Sequence, residues 1–346
     1  MSKKKLIGFV VIGILVLGIV FMIVKGNTGS SPSADQGQKQ TENQKEDFLS
    51  RTPTAKIKID GKKYEIYDEF ETYLILGTDA SGNENATDDS YRGSMADFLL
   101  LLIFNKTADS YSFLQINRDT MTEVQLLNRE GKGEATADIQ LCTAHWYGGN
   151  PKQGCENTVA AVSGLLGGLP INGYYALSME KIPKLNHLVG GVTVTIRDDF
   201  SKVDATMKQG SKITLTDEQA YTYVHDRYDV GDEDNLSRME RQREYMKSLF
   251  ENVQAKTKAK PGYINSIWRA LKEDAITDIK GRTVSKLANR VSKGTYLGMH
   301  TLEGKTSMGR ALGDGIDHVE YHVEGETIIS KLTELYGLQE GKESNE

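Results

Sequence analysis

Two apolar runs separated by four residues constrain this chain more than anything else in it. "ADFLLLLIFN" (residues 96–105) and "SYSFLQINRD" (110–119) are joined only by "KTAD". Short continuous apolar runs of this kind read as strands buried on both faces. A parallel pair needs a crossover of a dozen residues or more, so strands joined this tightly are antiparallel neighbours. The start of the first then lies beside the end of the second. Asp97 stands at that start and Arg118-Asp119 at that end, which predicts that Asp97 and Arg118 are close in space whatever the register.

The remaining pattern builds a layered α/β domain around this pair. "AKIKIDGKKYEIY" (55–67) alternates around Asp60-Gly61 as a hairpin does, and "YLILGTD" (73–79) is a further buried strand giving way to Asp79. Helices are predicted over 156–166 and 178–188, each stopping at a glycine pair, with a strand at 192–196. Thr216 to Gln219 and Ser237 to Glu240 have the form of capping boxes, opening helices to about Asp226 and Val253. The last third adds "TVSKLANRV" as helix, "HVEYHV" as strand and "ETIISKLTELYG" as helix. Strands alternating with helices imply an α/β fold with a mixed sheet.

Upstream of the domain, Lys3, Lys4 and Lys5 precede residues 6–24, which are apolar or Gly throughout. At ~1.5 Å per residue that run is just long enough to cross a bilayer, and the preceding lysines favour a cytoplasmic N-terminus. Residues 1–25 are therefore expected to be a cytoplasmic stub and retained transmembrane anchor. This places the protein in the cell membrane as a single-pass protein with its C-terminal domain outside. Residues 26–52 are polar and Gly/Ser-rich, a flexible linker with a reach of roughly 30 Å. In that oxidising location the two cysteines, Cys142 and Cys155, read as one disulfide around "HWYGGNPKQG", the alternative being two free buried thiols.

Asp79 and Asp97 at one sheet rim could share a Mg²⁺, which prefers oxygen ligands. "YVHDRYDVGDEDNLSRMERQREY" (223–245) holds four arginines and no lysine in a chain of net charge −6. Such a run is either a salt-bridged surface helix or a phosphate site, for which Arg is better suited than Lys. Arg238 falls in the first turn of its predicted helix, where a cation is unfavourable unless an anion joins it. Arg238 and Gln242, four apart, share one helix face.

"YLILGTDA", "DFLLLLIFNKTADSYSFLQINRDT", "LNHLVGGVTVTIRDDF", "LTDEQAYTYVHDR" and "SRMERQREY" together resemble the LytR-CpsA-Psr family of Gram-positive bacteria, over roughly residues 73–253. The resemblance implies a three-layer α/β/α sandwich with residues 53–253 as the catalytic domain and 254–346 as a C-terminal extension packed on it. It implies a phosphotransferase of cell wall biogenesis. A glycopolymer of teichoic acid or capsule type would pass from undecaprenyl pyrophosphate to peptidoglycan at the membrane, with Mg²⁺ as cofactor and no nucleic acid partner. By the same resemblance, Asp79 and Asp97 hold the metal, and Arg118, Arg227, Arg238 and Gln242 bind the pyrophosphate. The catalytic set is then Arg118, Arg227, Arg238, Asp79 and Asp97. The lipid's apolar groove would draw on the helices at 156–166 and 178–188 and the strand at 98–104, a pattern that core packing gives equally. Three positions depart from the family pattern: Met95 and His225 stand where arginines are usual, and Asn235 where Asp is frequent. Arg92 offers a replacement charge. These departures motivate an alternative reading, a non-catalytic protein that binds polyprenyl phosphate or an anionic polymer.

Overall fold

The computed structural model describes residues 52–79, 94–260 and 263–341. The expected anchor (1–25), all but the last residue of the expected linker (26–52), and Arg92 lie outside the described residues. Among the described residues, no helix is long and apolar enough to cross a membrane.

In chain order the fold opens with the hairpin β1 (Ala55–Ile59) and β2 (Lys62–Ile66), then β3 (Phe70–Thr78), β4 (Ala96–Asn105) and β5 (Ser110–Ile116). A ribbon follows, β6 (Met121–Leu127) and β7 (Gly133–Gln140), and then a 3₁₀ segment, Leu141–Trp146. Helix α1 (Pro151–Leu165) leads to β8 (Gly173–Ser178), α2 (Ile182–Leu188), and the short pair β9 (Thr193–Thr195) and β10 (Lys212–Thr214). Then come α3 (Asp217–His225), α4 (Asn235–Ala259), α5 (Tyr263–Leu271), β11 (Ala275–Thr277) and α6 (Gly281–Lys293). β12 (Thr295–Thr301), β13 (Lys305–Gly309), β14 (His318–His322), α7 (Gly325–Tyr336) and β15 (Gln339–Glu340) complete it.

The central sheet has six strands in the order β11-β8-β3-β4-β5-β12, so strands from the last third of the chain form both edges. It is mixed: β3/β8 and β5/β12 run parallel, the other neighbours antiparallel. β4 and β5 pair from Asn105↔Ser110 to Leu99↔Ile116. Carried two residues further, that register sets Asp97 opposite Arg118. The period of two along each strand sends alternate side chains to two cores. Leu100, Leu102, Phe113 and Tyr175 pack against α2, α3 and α4, while Leu99, Leu101, Leu114 and Tyr174 pack against α1, α7 and the first hairpin.

Local chemistry sets where the helices start. The expected capping box at Thr216 is present. The one expected at Ser237 is not, because α4 begins at Asn235 and Asp234 caps it by accepting from the Ser237 N–H at 2.6 Å. The helix expected at 156 begins at Pro151, capped by the Asn150 side chain. Its buried side chains belong to the α7 side of the sheet, away from the cleft described below, so it lines no groove there.

Candidate functional site

At the rim where β3 ends and β4 begins, a cavity of about 430 Å³ gathers residues from distant parts of the chain. Asp79, Asp97 and Arg118 come from the strand ends, His225 and Arg227 from the end of α3, and Arg238 from the first turn of α4. Asp97 is the hinge of the arrangement. One of its oxygens accepts from Arg118 Nη1, and the other accepts from Arg238 Nη1 at 3.0 Å. Burial opposes a charge on Asp97, but the two guanidinium groups overcome that and hold its pKa below the usual carboxylate range. Both arginines are buried, Arg238 to 2% exposure. Arg227 is half-buried, stacks on the Tyr228 ring at 4.9 Å, and has no carboxylate partner among the described residues.

The departures from the family pattern acquire local reasons. Met95 Sδ lies against Arg118 Nη2, so a thioether occupies the place of a second cation. Asn235 Oδ1 accepts from both Nε (3.0 Å) and Nη2 (2.7 Å) of Arg238, while its amide donates to Asn117 Oδ1 at 2.6 Å. A carboxylate could not make that last bond. His225 restores a positive charge: burial lowers its pKa, but hydrogen bonding to Asp226 and Asp79 outweighs burial and lifts it to about 9. It is therefore an imidazolium at neutral pH.

The four arginines of the 223–245 run have separate tasks. Arg227 and Arg238 face the cavity. Arg241 is a structural ion pair with Asp198 at 3.0 Å, lying over the Phe200 ring, and Arg243 donates to Gln115 at 2.9 Å. Gln242, expected on the pyrophosphate, is not among the residues that line this cavity. Its Nε2 donates to the Val224 carbonyl and its Oε1 accepts from Gln115, one turn below Arg238 and on the wall of a separate apolar cleft. That cleft, of about 70 Å³, is bounded by Gly77, Phe98, Met179, Ile182, Val224 and Met246. Gly77 and Phe98 place it directly beneath the strand ends that carry Asp79 and Asp97.

The cysteines correct the expected disulfide: both are free and buried. They face different neighbours, Cys142 Sγ towards Arg118 Nη2 (2.9 Å) and Cys155 Sγ towards His145 Nε2 (3.5 Å). Burial pushes Cys142 up to about 11 and Cys155 up to about 12, so neither is a thiolate at neutral pH.

A metal fits the residues present. Asp79 and Asp97 each offer a carboxylate oxygen, within 4.8 Å of each other and of a His225 ring nitrogen, which as an imidazolium has no lone pair to give. Asp79 Oδ1 is buried, with His225 Nε2 3.5 Å away as its ion-pair partner. The cavity also sets Arg118, Arg227, Arg238 and His225 against Asp79, Asp97, Asp119 and Asp226, so its formal charges balance. A divalent cation would tip it towards anions.

Sequence reasoning missed one wall: Gln140 from β7, and Leu312, His318 and Val319 around β14. "HVEYHV" was readable as a strand, but nothing in one sequence says against what it packs.

A family model described as "LytR_cpsA_psr family" matches residues 22–334. The polyisoprenyl-teichoic acid–peptidoglycan teichoic acid transferase TagU of Bacillus cereus is 28% identical over 250 residues, covering 72% of this chain and 71% of that protein. The crystal structure of Bacillus subtilis TagV superposes with a TM-score of 0.56 at 18% identity, covering 78% of this chain and 98% of that one. TagT bound to LIIa-WTA gives 0.54 at 19%, covering 78% and 91%. At such identities the likeness to the solved structures is one of fold.

Proposed function

The chain belongs to the LytR_cpsA_psr family, and on that premise we propose that it is a membrane-anchored extracytoplasmic phosphotransferase. It moves a glycopolymer of teichoic acid or capsule type from undecaprenyl pyrophosphate to peptidoglycan. One observation carries the reading: three guanidinium groups and the carboxylates of Asp79 and Asp97, remote in sequence, meet in one cavity above an apolar cleft. The relatives named as teichoic acid transferases support the glycopolymer and the acceptor.

In this reading the pyrophosphate lies against Arg118, Arg227 and Arg238. Arg118 and Arg238 are held in place by Asp97 before substrate arrives, so no reorganisation is needed at the moment of reaction. Arg118 Nε is buried and lies 3.3 Å from Asp119 Oδ1, a further contact that fixes the guanidinium. Arg227, tied only to Tyr228, can follow the phosphate as charge shifts. His225 stands where the family's other arginine would be and supplies its charge. Asp79 and Asp97 would hold Mg²⁺, which when bound neutralises phosphate charge. Phosphoryl transfer depends chiefly on such positioning and electrostatics, so the site requires no nucleophile of its own.

The polyprenyl chain takes the apolar cleft. At about 70 Å³ the cleft is too small for tens of carbons, so Met179 and Ile182 must move off Gly77 and Phe98 to admit it. Methionine is well suited to that repacking. The test mixes purified protein, Mg²⁺, a lipid-linked pyrophosphate glycopolymer and peptidoglycan. Transfer that depends on Arg118 is expected. Donor that binds but is never turned over supports the non-catalytic binding alternative instead, and no binding at all refutes both.

A further inference from the structure

Two residues in the wall of the anion cavity, Asp119 and Gln140, each have a buried acceptor, Oδ2 and Oε1, without a hydrogen-bond partner among the described residues. Asp119 is 5% exposed and Gln140 3%. Both are held in place. The Asp119 N–H donates to Asn117 Oδ1 at 2.9 Å and its carbonyl accepts from the Tyr321 N–H at 2.8 Å. Its Oδ1 lies 3.3 Å from Arg118 Nε. Gln140 donates through Nε2 to the Val319 carbonyl at 3.0 Å, which turns its oxygen the other way.

Orphaned buried acceptors are costly and call for a donor. The donor substrate's pyrophosphate cannot provide one, since an ionised phosphate only accepts and a carboxylate repels it. A group carrying O–H or N–H beside the guanidinium groups that grip the phosphate can satisfy both oxygens. Resting on the transferase reading above, we infer that Asp119 is the general base for the acceptor sugar. Gln140 Oε1 receives a second hydroxyl or amide donor from the same acceptor. The acceptor glycan then approaches over β7 and β14, the lipid-linked donor from the side of α2 and α4.

In the step so assigned, the acceptor hydroxyl oxygen bonds to the glycopolymer-bearing phosphorus while its proton passes to Asp119 Oδ2. The bond from that phosphorus to the bridging oxygen breaks, and its electron pair leaves on polyprenyl phosphate. Arg118, Arg227 and Arg238 face the charge that develops there, and the proton on Asp119 returns to solvent. Burial raises the Asp119 pKa above the ordinary carboxylate value, with Asp97 adding to the rise and Arg118, Arg227 and Arg238 opposing it. That makes it a stronger base than a free carboxylate.

The experiment uses the full chain with Mg²⁺, a lipid-linked pyrophosphate glycopolymer and a soluble peptidoglycan fragment. Donor binding and transfer are measured separately. Asp119→Asn is expected to bind donor within about threefold of wild type and to lose transfer by about 10²–10⁴-fold, the usual contribution of a general base. Formate is expected to restore part of the transfer lost in Asp119→Ala. Gln140→Leu is expected to raise the acceptor KM with donor binding unchanged. Transfer by Asp119→Asn within a few-fold of wild type overturns the inference. So does a loss of donor binding as large as the loss of transfer, which would make Asp119 only a support for Arg118. If Asp119→Asn fails to fold, absence of both formate rescue and a Gln140→Leu effect on KM overturns it equally. Wild-type protein that neither binds nor transfers the donor defeats the transferase reading itself and takes this inference with it.

Discussion

Replacing Asp97 by Asn removes one charge and leaves two guanidinium groups buried against each other. Arg118 and Arg238 are 9% and 2% exposed, and Asp97 is the carboxylate that both touch. After the change Arg118 keeps Asp119, and Arg238 keeps the neutral Asn235 side chain and the His225 carbonyl but no carboxylate among the described residues. Breaking a buried ion pair from one side typically costs ~3–5 kcal/mol, and at about 2–4 °C per kcal/mol the melting temperature should fall by about 6–20 °C. If an uncompensated charge is the cause, a polyanion should repair it. Inorganic pyrophosphate at about 100 times its wild-type Kd adds ~2.7 kcal/mol to wild type, and at that same concentration the variant, binding it more tightly, should gain more. Arg238→Met added to Asp97→Asn should raise the melting temperature above that of Asp97→Asn alone. Circular dichroism melts with and without pyrophosphate read all three. A variant melting within about 2 °C of wild type, or a double variant melting below the single one, would falsify the view that Asp97 holds this rim together.

Asn235→Asp restores a residue frequent in the family yet should destabilise by ~1–3 kcal/mol, because a carboxylate would meet Asn117 Oδ1 where the amide now donates; urea unfolding measures it. Gly77→Ala would set a Cβ 2.6 Å from Met179 Sδ and 2.9 Å from Phe98 Cβ. It should cost ~1–3 kcal/mol by overpacking and weaken binding of added polyprenyl phosphate, read by mass spectrometry of the lipid retained. His225 has a folded pKa of about 9, above the ordinary ~6.5 of imidazole. Its contribution to stability is therefore fully present below about pH 6.5 and lost as pH rises through 9. The melting-temperature difference between wild type and His225→Gln, without added metal, should shrink across that window; a difference that grows with pH overturns the assignment.

The rim was legible where local geometry fixed it. "KTAD" admits no connection but a tight antiparallel one, so Asp97 and Arg118 had to meet, and the register places them opposite. Gln242 shows the limit of the same logic. The helical period places it on the face of Arg238, but one turn is enough to carry its side chain from the anion cavity to the apolar cleft. Ser237 and Asp234 both suit an N-cap, and only the fold chooses between them. β7 was invisible because "GEATADIQ" is largely solvent-exposed and shows little apolar alternation. The disulfide inference used compartment and spacing, but the directions in which Cys142 and Cys155 point are set by tertiary neighbours.

Because β11 and β12 supply both flanks of the central sheet, the order in which the polypeptide emerges matters. While β3, β4, β5 and β8 wait for them, the half-built sheet has bare backbone on either side, able to pair with another copy. Over the same interval the arginines can already gather, but the basin still lacks His318 and its neighbours. A chain cut short of the final segments would therefore leave both flanks of its sheet unshielded and one wall of the cavity missing.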